Sequence, residues 1–238
     1  MAVGFSLGEM EVDVVFKDIK NIHLSVYPPA GKVRVAAPLR MNLDTIRVFT
    51  ISKIDWIKKQ QRKFREQERE TPREYLERES HYLWGKRYLM NIVEQDAAPR
   101  VELEHHRILL FVRPCTDEAR RQEIVDSWYR SQLKIVASPL IRKWERRLEV
   151  RMGRLFVRKM KTRWGSCNPS SKSIRLNTDL AKKPKSCLEY IVVHELAHLI
   201  EPNHGAKFVE LMDRFLPKWR IYREQLNRLP VSHEEWMY

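Results

Sequence analysis

At 238 residues the chain is long enough to bury a sizeable core, either as one large domain or as two small ones. Its 43% hydrophobic content and mean hydropathy of -0.54 indicate a soluble globular protein, and no run approaches the roughly 18 apolar residues that a membrane span requires. The formal charge of +14 favours anionic partners, while three cysteines without a C-x-x-C pair argue against a disulfide framework or a sulfur-ligated metal and suit reduced thiols in the cytoplasm. Met1 to Met10 do not read as a signal peptide, for they lack a basic segment followed by an apolar run.

Taken in order, Val12 to Phe16, Ile22 to Val26 and Val33 to Val35 alternate with period two, broken by Lys17 to Asn21 and by Pro28-Pro29-Ala30-Gly31. The pattern predicts a three-stranded antiparallel meander closed by Pro38. Asn42 or Asp44 can then cap one helix running through Ile46, Phe49, Ile54, Ile57 and Phe64, charged on all sides from Lys58 to Glu70 and ended by Thr71-Pro72. Strands return at Tyr88 to Val93, Val101 to Glu104 and Ile108 to Val112, with His105-His106 in a hairpin turn. Thr116 and Asp117 cap a long helix carrying Ile124, Trp128, Leu133, Ile135, Ile141, Trp144 and Leu148. Leu155 to Met160 reads as a strand, followed by a hairpin of Arg163 to Cys167 with Ser173 to Asn177. Between Arg142 and Arg163 ten Lys or Arg stand against two Glu, a surface for an anionic nucleotide or nucleic acid or simply a solvated face.

The chemistry concentrates in His194-Glu195-Leu196-Ala197-His198. Residues four apart share one face of a helix, so His194 and His198 can offer two imidazole nitrogens to one ion with Glu195 beside them. Ser186 and Glu189 have the spacing of a capping box, and Leu188, Ile191, Val192, Leu196, Leu199 and Ile200 give the helix an apolar side. Pro202 ends the helix, and His204 follows the turn at the start of a second one, with Phe208, Leu211, Met212 and Phe215 periodic and Asn203 as the expected N-cap. Three protein ligands with one open position describe a catalytic zinc site; His204 is the expected third, and Glu201, Glu210 and Asp213 are near enough in sequence to compete. Glu195, not itself a ligand, is the expected general base. A last helix is expected from Trp219 through Leu229, with a short tail from Ser232 to Tyr238.

Arg163-Trp164-Gly165-Ser166-Cys167, Ile174-Arg175-Leu176-Asn177, Pro184, the segment Tyr190 to His198, and Asn203-His204 with Phe208 together resemble the YgjP-like metallopeptidase family, related to SprT-like and other zincins. The resemblance implies an α+β fold: an antiparallel β-rich region with a helix over residues 1–112, then a zincin-like catalytic domain over 113–238. It also implies that the hairpin at Arg163 to Cys167 borders a cleft able to hold an extended polypeptide by strand addition, where Arg163 is either a candidate oxyanion donor or a group packed on Trp164. Zinc-dependent hydrolysis of peptide bonds is the leading expectation. Nucleotide pyrophosphatase activity, assigned to members of the resembled family, is the rival, and a nucleic-acid-binding module with a structural metal is a third reading.

Overall fold

The computed structural model describes residues 2–27, 31–66, 74–160 and 163–228. The proline turn at 28–30, the end of the charged helix with Thr71-Pro72, Leu229 and the tail from Ser232 lie outside the described residues. Two compact units part between Pro72 and Arg73, each with its own apolar core. The expected boundary at 112/113 falls inside the second unit, because Met90, Ile108, Leu110 and Val112 pack in the same core as Val125 and Leu133.

The first unit is a four-stranded sheet followed by two helices. Strands β1 (Ala2–Leu7), β2 (Met10–Lys17), β3 (His23–Tyr27) and β4 (Lys32–Pro38) lie in the order β1-β2-β4-β3. Alternation buries Val12, Val14, Val33 and Val35 as expected, but the antiparallel meander is corrected: β2 runs parallel to β4, β3 lies on the far side of β4, and β1 is an additional strand. A period of two says which face is buried and leaves the pairing partner open. Helix α1 (Leu43–Ser52) is capped by Asn42, whose Oδ1 accepts the Thr45 N–H at 2.8 Å. The single helix expected here breaks at Lys53, and α2 (Ile54–Glu66) follows.

In the second unit β5 (Ser80–Leu83), β6 (Lys86–Glu94), β7 (Arg100–Glu104) and β8 (Arg107–Val112) repeat the topology of the first sheet, order β5-β6-β8-β7 with a parallel central pair. His105 and His106 form the β7–β8 turn. Helix α3 (Glu118–Leu148) starts on Asp117, whose Oδ1 accepts the Arg120 N–H at 2.7 Å, and runs past Pro139. Its buried residues recur every three or four positions from Val125 through Tyr129, Leu133, Ala137, Ile141 and Trp144 to Leu148, so Ile135, at 65% exposure, lies on the opposite side.

A three-stranded sheet follows: β9 (Arg154–Arg158), β10 (Gly165–Asn168) and β11 (Ser173–Asn177), in the order β10-β11-β9. This order leaves β10 on an edge. A buried 3-10 turn over Thr178–Lys182 leads into α4 (Lys185–Ala197), then α5 (Ala206–Phe215) and α6 (Trp219–Arg228). The β5–β6 hairpin is pinned to this turn, since the N–H groups of Trp84 and Gly85 donate to the carbonyls of Ala181 and Lys182 at 2.8 and 3.2 Å. The expected capping box does not form. Pro184 holds the N-cap of α4 without a side-chain bond, and the Glu189 carboxylate instead accepts from Lys143 Nζ at 2.8 Å and Trp144 Nε1 at 2.9 Å, tying α4 to α3. Burial alone would raise its pKa, but these donors hold it below the ordinary carboxylate value.

Candidate metal centre

Helix α4 is anchored by Leu188, Ile191, Val192 and Leu196, all buried, while Ile200, past its end, is 45% exposed. His194 and His198 are one turn apart, and His198 at the C-cap keeps helical backbone angles, φ −66° and ψ −15°. Their rings stand edge to face with centroids 4.9 Å apart. After Pro202 the chain doubles back, bringing His204 Nε2 to 3.0 Å from His194 Nε2 and its ring to 4.6 Å from that of His198. One ring nitrogen from each of the three lies within 4.8 Å of the others, the only such group of possible ligands among the described residues.

The competing third positions are occupied elsewhere or stand apart. Glu201 Oε1 accepts the Asn203 N–H at 3.2 Å, Asp213 accepts from Trp219 Nε1 at 2.7 Å and from Arg220, and Glu210 is exposed. Asn203 is not the N-cap of α5; Gly205 is, without a side-chain bond.

The donor set suits a borderline divalent ion. Two nitrogens bound to one tetrahedral zinc at about 2.0–2.1 Å would be about 3.3 Å apart, close to the His194–His204 separation of 3.0 Å. His198 Nδ1 lies 3.1 Å from the Glu201 carbonyl, so a proton on Nδ1 donates there and leaves the Nε2 lone pair for a metal, the usual outer-shell device. Burial, with the neighbouring rings and Arg223, pushes His194 down to about 3, and burial also lowers His198. Both imidazoles are therefore neutral at pH 7 and could accept a metal ion without first losing a proton. Phe208, at 2% exposure, touches all three rings, stacked on His198 at 4.6 Å and edge-on to His194 and His204 at 4.9 and 4.8 Å.

Glu195 lines the same cleft beside the histidines, against Gly165. It is 5% exposed, and burial pushes its carboxyl up to about 8, opposed by the charge of Arg163 and a hydrogen bond from the Cys167 N–H. A cation held at the histidines would pull it back down. The cleft, about 490 Å³, has residues 163–167 as one wall and Ile191, His194, Glu195 and His198 as the other. Because the Asn177 N–H donates to the Trp164 carbonyl at 2.9 Å, ladder alternation turns the N–H and C=O groups of Gly165 and Cys167 to the free edge of β10. The Cys167 thiol is pushed up to about 11 by burial and by Glu195, which leaves it a poor nucleophile near neutral pH.

A family model described as YgjP-like, metallopeptidase domain, matches residues 20–229. The chain belongs to the YgjP-like metallopeptidase family. As a YgjP-like protein it is a metal-dependent peptidase. Solved structures with partial similarity include the metallopeptidase zymogen jannalysin of Methanocaldococcus jannaschii, at 21% identity and a TM-score of 0.35, covering 38% of this chain and 92% of that one. The metallopeptidase zymogen abylysin of Pyrococcus abyssi is similar at 18% identity and a TM-score of 0.36, covering 40% of this chain and 99% of that one. Comparison with curated proteins found no match.

Two groups that shape the site of this YgjP-like chain have no role in it that the sequence assigns. Phe208 reads as one apolar position in a helical period and as part of the family motif with Asn203-His204. Gly165 carries the stronger signal. A Cβ there would sit 2.6 Å from Glu195 Oε1 and 2.9 Å from Glu195 Cγ and Ile191 Cγ2, so only glycine lets the edge strand lie on the carboxylate. Gly165→Ala is expected to destabilise the fold by about 1–3 kcal/mol through overpacking and to displace Glu195. Denaturant unfolding and peptidase turnover check it, and a variant with unchanged values for both would refute this packing.

Proposed function

We propose that the protein is a zinc peptidase in which His194, His198 and His204 hold the ion and Glu195 is the general base. The observation that carries this reading is the meeting, in one cleft, of three converging imidazole nitrogens, a buried carboxylate and an edge strand that pairs with no further strand among the described residues. When bound, zinc supplies Lewis acidity, lowering the pKa of water from about 15.7 to about 7 and polarising a carbonyl oxygen.

The chain's own residues do the rest. The outward N–H and C=O of Gly165 and the outward C=O of Cys167 hold an extended polypeptide across the cleft by strand addition. The Cys167 N–H fixes the Glu195 carboxylate, which takes a proton from the attacking water and returns it to the leaving amine. Arg163, at the rim of the same cleft, is placed to steady negative charge on the substrate carbonyl oxygen. The unpaired thiols of Cys115, Cys167 and Cys187 support a reducing compartment, and the cytoplasm is the proposed location.

Unfolded casein and nucleoside triphosphates offered to the same preparation, zinc-loaded or treated with chelator, test the proposal. The expected result is zinc-dependent cleavage of peptide bonds. Zinc-dependent phosphate release without proteolysis would replace it by a nucleotide hydrolase, and inactivity on both would leave a metal-binding module.

A further inference from the structure

The cleft borders β10 of the three-stranded sheet and leaves the outer face of β9, on the far edge, outside it. Residues 150–178, which supply all three strands and their connections, contain eight Lys or Arg and no Asp or Glu. Ile174 and Leu176 are fully buried, so their partners in register, Leu155 and Val157, share the inner face. The alternate positions Arg154, Phe156 and Arg158 on β9, and Arg175 on β11, therefore share the outer face. Arg154 and Arg158 are exposed, Phe156 is 42% exposed, and the Arg175 guanidinium lies 5.8 Å from the Phe156 ring centre. Register then continues from Arg175 to Ser166 on β10, which lines the cleft. Lys159 is not part of this set, because its charge acts on the half-buried Asp126 carboxyl.

We propose that this outer face binds single-stranded nucleic acid, with a base on Phe156 and phosphates on Arg154, Arg158 and Arg175. Four residues of strand separate Arg154 from Arg158 by about 13 Å, with the ring midway, so a chain laid along β9 meets cation, π-face and cation in turn. Bases stack on aromatic rings and on guanidinium planes, and a sequence-tolerant site of this kind combines both with a cationic track. An acidic polypeptide would use the guanidinium groups but has no group that needs the ring. The inference is independent of which bond the cleft hydrolyses.

Fluorescence anisotropy with labelled oligothymidylate tests it, using the full chain with Glu195→Gln to exclude turnover. Binding is expected to weaken with salt along a log–log slope of about −2, the value for three neutralised phosphates on a single strand. Phe156→Leu keeps apolar bulk but removes the π-face, and is expected to weaken binding between about fivefold and about a hundredfold. Arg154→Ala with Arg158→Ala should lower both the affinity and the salt slope, whereas the charge-matched pair Arg107→Ala with Arg113→Ala should change neither. Three results would overturn the proposal. One is no binding at low salt. Another is equal loss from the two arginine pairs. The third is equal competition by polyglutamate together with unchanged binding by Phe156→Leu, which would assign the face to acidic polypeptides. Far-ultraviolet circular dichroism of each variant confirms that the sheet is intact.

Discussion

His194→Ala is expected to abolish stoichiometric zinc binding, read by metal analysis of the purified protein and by the loss of the zinc-induced rise in unfolding temperature. The imidazole removed is the hub of the cluster, with centroids 4.9 Å from His198 and 5.0 Å from His204. Groups that only orient a ligand typically cost about 10- to 100-fold in metal affinity, so a lost ligand should cost more. A ligand at about 1,000 times its Kd stabilises the folded state by about 4 kcal/mol, and the variant should forfeit that increment. His204→Ala should behave similarly. Glu201→Ala should have little effect, because the contact to His198 is made by the Glu201 backbone carbonyl, which the substitution leaves in place. Equal zinc in His194→Ala and the parent protein would dismiss the site. Greater loss from Glu201→Ala or Glu210→Ala than from His204→Ala would reassign its third ligand.

The clustering of the three histidines was legible because its information is local. Two histidines at helical spacing, a proline that ends the helix and a histidine just beyond it fall within eleven residues, from His194 to His204. Chain geometry alone brings them close. The caps on Asn42 and Asp117 were readable for the same reason, since each side chain bonds a backbone group three residues ahead. Most of the failures depend on distant partners. Ser186 and Glu189 have capping-box spacing, but Glu189 is drawn away by Lys143 and Trp144, more than forty residues earlier in the chain. The parallel pairing of β2 with β4, and of β6 with β8, places the intervening strand on the outside, which no alternation pattern encodes. The boundary at 112/113 failed because the second sheet and α3 share a core, a fact of packing between segments that look separately complete. Gly165 belongs to the same class: its necessity comes from Glu195, thirty residues away.

Glu195→Gln is expected to retain zinc and lose turnover by about 10²- to 10⁴-fold, the usual contribution of a general base. The substitution is nearly isosteric, so the side chain still fits beneath Gly165, and its amide oxygen can still accept the Cys167 N–H. What disappears is the capacity to take a proton from water. KM should change little, because the edge of β10 is untouched. The same residue gives a second, activity-free readout in metal-free protein. Burial raises the Glu195 pKa from the ordinary 4.5 to about 8, so the folded state binds a proton more tightly than the unfolded chain does. Stability from this group is therefore fully present below about pH 4.5 and is lost as pH rises toward about 8, where a buried carboxylate must be tolerated. Glutamine has no such charge to bury. Metal-free Glu195→Gln should accordingly become more stable than the metal-free parent as pH rises across that interval, and adding zinc should narrow the difference by restoring a cation beside the carboxylate. Near-parental turnover would remove Glu195 from the mechanism, and parallel pH–stability curves for the two metal-free proteins would show that its carboxylate is not held as buried as the cleft implies.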